Sequence, residues 1–337
     1  MTPTLHPRLL NGIAGDPAVF VEAMHSPGAI LFDCGDLSSL STRHLLRVEL
    51  LCVSHAHMDH WADFDRLLRP LIGREKRLAV VGPPGFALLL HHRLASYIWN
   101  LVDRIPAPLV FDAMEVHPDR LARTRFRLQT GFAPEALPDA VAEDGVVLRL
   151  GSLGLRAALL DHGTPSLGFA LEEARHINIL GSRLADRGLL TGPWLTALKQ
   201  AVADGQPDDH PIPIFARGAE AVDVPALPLG ALRDVVAETP GQRIAYLTDF
   251  ADTPANRAAA VALAEGADTL LIEAPFLAAD AAHAAGRMHL TTTAAGEIAR
   301  AAGARRVVPF HLSPRHLGAE AQWQAEIEAA FGRPLSP

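Results

Sequence analysis

The chain is predicted to be an α/β protein on three observations. Strand-like apolar runs alternate with helical stretches along the whole length. Histidines and carboxylates gather just past the ends of those strands. The clusters run from residue 55 to residue 311, so one domain must bring them together. The element order follows from local patterning. Apolar runs near 29–33, 49–53, 78–81, 155–160, 168–172, 243–248, 268–273 and 305–310 read as strands. Helices are expected near 61–71, 85–100, 254–265, 291–302 and 318–331, where apolar residues recur with helical spacing. Residues 131–145 and 204–229, rich in Pro, Gly, Ala and Asp, read as connecting segments, and the loops carry the chemistry.

The densest of those loops is Ser54-His-Ala-His-Met-Asp-His-Trp61, directly after the apolar run Leu50 to Val53. Side chains two apart on an extended segment point the same way, so His55 and His57 can grip one ion. Asp59 and His60 begin the next element and can face a second. Imidazole and carboxylate donors suit a borderline ion such as zinc better than calcium or magnesium.

This H-x-H-x-D-H tetrad resembles the signature of the metallo-β-lactamase fold, and further motifs resemble its ribonuclease Z branch. Asp161-His162 precedes Gly163-Thr-Pro-Ser-Leu-Gly-Phe169, Asp249 closes the run from Arg243, and His311 lies in Phe310-His-Leu-Ser-Pro-Arg315. Leu31-Phe-Asp-Cys-Gly35 and Val81-Gly-Pro-Pro-Gly85 flank the tetrad, and Ile272-Glu-Ala-Pro-Phe276 is followed by His289-Leu-Thr-Thr. The resemblance spans residues 29 to 316. It implies a four-layer αβ/βα sandwich with a dinuclear metal site at one edge of the two sheets. His55, His57 and His162 would form one site, Asp59, His60 and His311 the other, with Asp249 bridging. Ile272, Pro275 and Leu290 depart from the family pattern, and the basic arm that grips the tRNA elbow is not evident after Gly192-Pro-Trp194.

The resemblance implies two Zn²⁺ per chain, with Mn²⁺ or Fe as alternatives, about 3.5 to 4 Å apart. Asp59 would also orient the attacking water, and His289, held by Glu273, would protonate the leaving alkoxide. Ser313, Arg315 and His176 are the expected substrate-binding residues. The implied function is a phosphodiesterase acting as an endoribonuclease on tRNA 3′ ends, as a homodimer. A small-molecule phosphodiesterase, a lactonase or thioesterase, and a metal-binding accessory protein without turnover are the alternatives, because metal ligands do not choose between carbonyl and phosphoryl centres.

Composition adds bounds. Of 337 residues 49% are apolar, enough for a sizeable core, and the whole chain 1–337 is expected to be one domain with 174–230 as an insertion or substrate-facing segment. The absence of a long apolar stretch or a leader pattern leads to the expectation of a cytoplasmic protein without membrane contact. A net charge of −8 gives no basic footprint for nucleic acid. One cationic strand stands out, with Arg123, Arg125 and Arg127 alternating with Thr124, Phe126 and Leu128, and is expected to guard a sheet edge rather than track phosphates. Cys34 and Cys52 are expected to be buried thiols, His91 and His92 packing residues, and His210 a surface residue.

Overall fold

The computed structural model describes residues 4–24, 28–173, 175–214 and 226–335, the side chains of residues 175 and 176 excepted. They divide into a larger unit (residues 1–149, 155–171 and 243–337) and a smaller one (150–154 and 172–242). The larger unit is built on two sheets. The first holds eight strands in chain order: β1 (Leu5–Leu9), β2 (Val19–Ala23), β3 (Ala29–Phe32), β4 (Val48–Cys52), β5 (Lys76–Gly82), β6 (Leu109–Val116), β7 (Leu121–Arg127) and β8 (Pro134–Ala140). The second has the order β18 (Arg306–Phe310), β17 (Thr269–Glu273), β16 (Arg243–Leu247), β11 (Pro165–Glu173), β10 (Leu153–Asp161), β9 (Val146–Leu150). β3 to β6 pair in parallel, as do β16, β17 and β18.

Alternation along the strands sorts residues into two layers. Phe20, Leu31, Leu51, Leu78, Val80 and Phe111 face α1 (Thr42–Arg47), α3 (Phe64–Leu71) and α4 (Phe86–Ala95). Phe32 alternates with Leu31 and turns the other way, meeting Phe169 and Tyr246 of the second sheet at ring separations of 5.8 and 5.4 Å. Across that sheet, Ala245, Leu247, Leu270, Ile272 and Val307 face α7 (Pro254–Ala264), α9 (Thr292–Ala301) and α10 (Glu320–Phe331). Helices therefore cover the outer face of each sheet, as expected of the four-layer sandwich.

Local chemistry sets the helix ends. The side chains of Ser41, Thr253 and Thr291 accept from the first turns of α1, α7 and α9, and Pro254 occupies the first turn of α7, where no N–H is needed. Phe64, Leu67, Leu68 and Leu71 form one buried stripe on α3. α9 and α10 approach closely at Gly296, where a Cβ would sit 2.7 Å from the Ile327 carbonyl oxygen. The short helix α8 (Ala281–Gly286) ends just before His289.

Several expectations are corrected. The segment 131–145 is not merely a connection, because it contains β8, whose Pro134–Ala140 pairs antiparallel with β7. β8 is exposed along most of its length, so no apolar alternation marks it. As a result β7 lies inside the sheet, not at its edge. Arg125 donates to Asp112 at 2.6 Å and Arg127 to Glu135 at 3.0 Å, so cross-strand carboxylates occupy both guanidinium groups. The expected helix 61–71 is two, α2 (Met58–Trp61) and α3, and α4 ends at Ala95 rather than residue 100. β1, β2 and β6 add to the strands expected from the apolar runs.

The smaller unit has its own core of Trp194, Leu198, Ile212, Leu229, Leu232 and Val235. It comprises β12 (Arg175–Ile179) paired with β15 (Val236–Pro240), α5 (Gly181–Asp186), α6 (Trp194–Ala203), and the pair β13 (Pro211–Pro213) and β14 (Ala226–Pro228). The expectation that 204–229 only connects is thus corrected by β13 and β14; residues 215–225 lie outside the described ones. Cys34 and Cys52 are free and buried, and His91 stacks on Phe126. Among the described residues no helix is long and apolar enough to cross a membrane.

Candidate metal centre

All the active side chains but one, His289 between α8 and α9, lie at or just past the C-terminal end of a strand. His55, His57, Asp59 and His60 follow β4, His162 follows β10, Asp249 follows β16, Glu273 ends β17, and His311 follows β18. Parallel strands carry these ends to one side of each sheet, where loops free of ladder bonds can converge. The loops are tightly drawn. At Gly35 a Cβ would lie 1.8 Å from the Asp59 carbonyl oxygen, so only glycine lets that chain crossing form.

Two donor sets result. His55, His57, His162 and Asp249 form one, and Asp59, His60 and His311 the other, while Asp249, Glu273, His289 and His311 form a third group that overlaps both; within each, ligand atoms lie within 4.8 Å of one another. Asp249 faces both with different oxygens. Its Oδ2 lies 3.7 Å from His55 Nε2 and 3.5 Å from His162 Nε2, and its Oδ1 lies 3.3 Å from His60 Nε2 and 3.2 Å from His311 Nδ1. Thr248 Oγ1 donates to Oδ1 at 2.6 Å and fixes the carboxylate's rotation.

The outer hydrogen bonds determine which imidazole nitrogen is free. Asp33, fully buried after β3, accepts from Ser54 N on Oδ1 (2.7 Å) and from Ser54 Oγ, His60 Nδ1 and Tyr246 Oη on Oδ2 (2.8, 2.8 and 2.7 Å). Ser54 has one hydroxyl hydrogen and gives it to Asp33, so at 3.1 Å it accepts from His55 Nδ1. His162 Nδ1 donates to the Met288 carbonyl oxygen at 2.8 Å. In all three rings the outer bond falls on Nδ1, so Nε2 is the atom turned toward the donor sets. The buried atoms His55 Nε2, His60 Nε2 and His311 Nδ1 have no hydrogen-bond partner. Buried ring nitrogens gathered round a shared carboxylate without hydrogen-bond partners are costly unless a cation joins them, so the residues present fit a divalent metal.

Charge is divided unequally. Burial, with the charge on His60, pushes His55 down to about 2, and burial also lowers His57. Burial works against the charged form of His60 too, but Asp249 and Asp33 outweigh it and hold that imidazole at about 10. His311 is raised well above the ordinary value, as Asp249 and Asp59 overcome its burial. Burial would raise Asp59, yet the hydrogen bond from His311 and the charge on His60 hold it at about 2. In the second set protons thus stand where a cation would bind.

Beside the donors, His289 Nδ1 donates to Glu273 Oε2 at 2.7 Å and lies 4.0 Å from Asp249 Oδ2. Glu273 Oε1 accepts from the backbone of Phe250 and Leu290, which pins the fully buried carboxylate. Burial lowers the His289 pKa, but the Glu273 charge raises it beyond the ordinary imidazole value. Burial raises Glu273, and the charged His289 more than reverses this.

All seven expected metal ligands and the Glu273/His289 pair therefore converge. The expected substrate residues do not form part of either donor set. Ser313 N bonds to the Pro275 carbonyl, and Arg315, 46% exposed, lies 3.7 Å from Asp280. His176 is opposite Thr239 on β12, and its side chain lies outside the described residues. Asp33, Ser54, Tyr246, the Met288 carbonyl and Asn256 carry roles that no sequence motif assigned to them. Asn256 Nδ2 bridges the carbonyls of Asp161 and Ala251 at 2.9 and 2.8 Å, fastening the His162 loop to the Asp249 loop. A buried strand ending in Phe32-Asp33 was the available signal for Asp33.

Comparison with known proteins agrees with this geometry. Residues 230–312 match the beta-lactamase superfamily domain. The chain is 34% identical to ribonuclease Z of Deinococcus radiodurans over 325 residues, covering 94% of this chain and 91% of the relative. It is 29% identical to ribonuclease Z of Geobacillus kaustophilus, covering 89% and 83%. Among solved structures, the metallo-beta-lactamase fold protein YhfI of Bacillus subtilis aligns with a TM-score of 0.55 at 15% identity, covering 97% of this chain and 93% of that one.

Proposed function

The chain belongs to the ribonuclease Z family of metal-dependent hydrolases, and from that premise we propose that it is a cytoplasmic endoribonuclease that processes the 3′ ends of tRNA precursors with two bound divalent ions. The carrying observation is the Glu273–His289 pair at 2.7 Å beside Asp249, whose two oxygens face the two donor sets. A metal-binding protein without turnover would have no use for an oriented acid there.

His55, His57, His162 and Asp249 would hold one ion, and Asp59, His60, His311 and Asp249 the other; the nitrogen and carboxylate donors favour zinc, with manganese or iron as alternatives. When bound, the ions supply positive charge to the phosphoryl oxygens and activate water for in-line attack. We assign to Asp59, whose Oδ2 lies 3.3 Å from His311 Nε2, the role of acceptor that would orient the water. Glu273 holds Nδ1 and favours the charged ring, so Nε2 would deliver a proton to the departing ribose oxygen. Glu273 then stabilises the ring orientation through the cycle. We assign Ser313 and Arg315 to the phosphate flanking the cleavage point, His176 and residues 174–230 to substrate handling, and a homodimer as the working assembly.

A small phosphodiester is the second reading. It is favoured by the engagement of Arg125 and Arg127 with Asp112 and Glu135 and by the net charge of −8. Incubating the zinc-loaded protein with a precursor tRNA and a nitrophenyl phosphodiester side by side separates the two. Cleavage of the precursor at the end of its acceptor stem supports the endoribonuclease. Turnover of the small diester alone overturns it.

A further inference from the structure

Tyr246, one of only two tyrosines in the chain, is fully buried between the sheets. Its ring stacks on Phe32 at 5.4 Å and 18° and on Phe310 at 5.4 Å and 15°. Each flanking phenylalanine immediately precedes a residue of the centre: Phe32 precedes Asp33, and Phe310 precedes His311. Tyr246 itself stands three residues before Asp249. Asp33, Asp249 and His311 all take positive φ, at +53°, +48° and +65°, a region that non-glycine residues rarely occupy. Such conformations persist only where surrounding packing over-determines them. The three-ring stack is the packing common to all three chain segments.

The hydroxyl adds a directional bond. It donates to Asp33 Oδ2 at 2.7 Å, the same oxygen that receives His60 Nδ1 at 2.8 Å. Burial and the neighbouring Asp33 charge raise the phenol well above its ordinary pKa. Two imidazoles of the first donor set depend on this arrangement less. His162 is oriented by the Met288 carbonyl, and His55 reaches Asp33 only through Ser54.

We propose that Tyr246 is a positioning residue for the second donor set: stacked between Phe32 and Phe310, it holds Asp33 as the acceptor that orients His60 and supports the backbone from which His311 projects. It touches neither substrate nor ion. The tyrosine makes retention of the second ion depend on the packing of one sheet against the other. The inference rests on the two-ion reading above.

The test is a titration of chelator-stripped full-length protein with Co²⁺, followed by visible absorption, together with zinc content after dialysis and melting of the metal-free form. Wild type is expected to bind two ions. Tyr246→Phe keeps the stack but loses the hydroxyl. It is expected to keep the first ion and bind the second about 10- to 100-fold more weakly, the usual effect of removing an outer-shell partner of a metal ligand. Phe310→Leu, with the hydroxyl intact, should show the same selective loss through His311 and serves if the first variant does not fold. Wild-type affinity for both ions in Tyr246→Phe overturns the inference. So does equal weakening of both ions with a lowered metal-free melting temperature, which marks a merely structural role. If wild type binds a single ion, the two-ion reading fails first, and this inference with it.

Discussion

His162 Nδ1 donates to the carbonyl oxygen of Met288 at 2.8 Å, so a histidine of the first donor set is held by the residue that directly precedes His289. Met288 takes φ +62° to present that oxygen. Six described non-glycine residues have positive φ, and four of them, Asp33, Asp249, Met288 and His311, belong to the centre. Backbone strain is thus concentrated where the loops must converge.

Substitution at Met288 should follow backbone preference. Met288→Gly is expected to keep the carbonyl in place and retain metal. Met288→Val, β-branched and poorly suited to the left-handed region, is expected to lose about 1–2 kcal/mol of stability and to release the first ion more readily. Thermal melting and elemental analysis check both. Equal behaviour of the two variants would remove the strain argument.

His289→Ala should leave the metal content unchanged and reduce RNA cleavage by about 10²- to 10⁴-fold, the usual range for losing a general acid. The reduction should be much smaller for a nitrophenyl diester, whose leaving group needs no proton. The same factor on both substrates would assign His289 to binding instead.

Asp249→Ala removes the carboxylate that faces both donor sets and leaves buried imidazoles without their shared anion. Fewer than one ion per chain should survive dialysis. Two retained ions, measured by atomic emission, would show that the sets are independent.

Asp112 carries the pH dependence that β7 confers on the fold. Burial raises its pKa, but Arg125 and Arg77 outweigh that and hold it below the ordinary carboxylate value. A depressed folded pKa means the stabilisation is complete above the unfolded value of about 3.9 and is lost as pH falls through the folded one. Asp112→Asn should therefore cost about 1–2 kcal/mol at pH 7, the scale of a charge-assisted hydrogen bond in a partly exposed site. The difference from wild type should shrink below about pH 4. A penalty constant from pH 7 to pH 3 in urea denaturation would contradict the assignment.

Because cross-strand carboxylates engage Arg125 and Arg127, replacing Arg123, Arg125 and Arg127 by serine should lower the melting temperature without changing the salt dependence of RNA cleavage. Were these arginines paired with RNA phosphates, removing each pair would flatten the salt slope by about one unit. A flattened slope would return the strand to the phosphate-track reading.

Local patterning alone specified the parts of this protein that repeat along the chain. Buried parallel strands read as unbroken apolar runs, and the ligands read as histidines and carboxylates just past them. The ends of β4, β10, β16, β17 and β18, with His55, His162, Asp249, Glu273 and His311, were therefore legible. β8 was not, because an exposed edge strand has no apolar period, and its presence moved β7 inward and turned its arginines toward partners. The hidden half of the centre was illegible for a related reason. Asp33 and Tyr246 are 213 residues apart, and nothing in either local pattern specifies the other. Only the packing of one sheet face on the other brings the phenol to the carboxylate, and with it determines which nitrogen of His60 is left free. Ligand identity is a property of residue type, readable one position at a time. Ligand orientation depends on hydrogen bonds between distant segments, which exist only once the chain has folded.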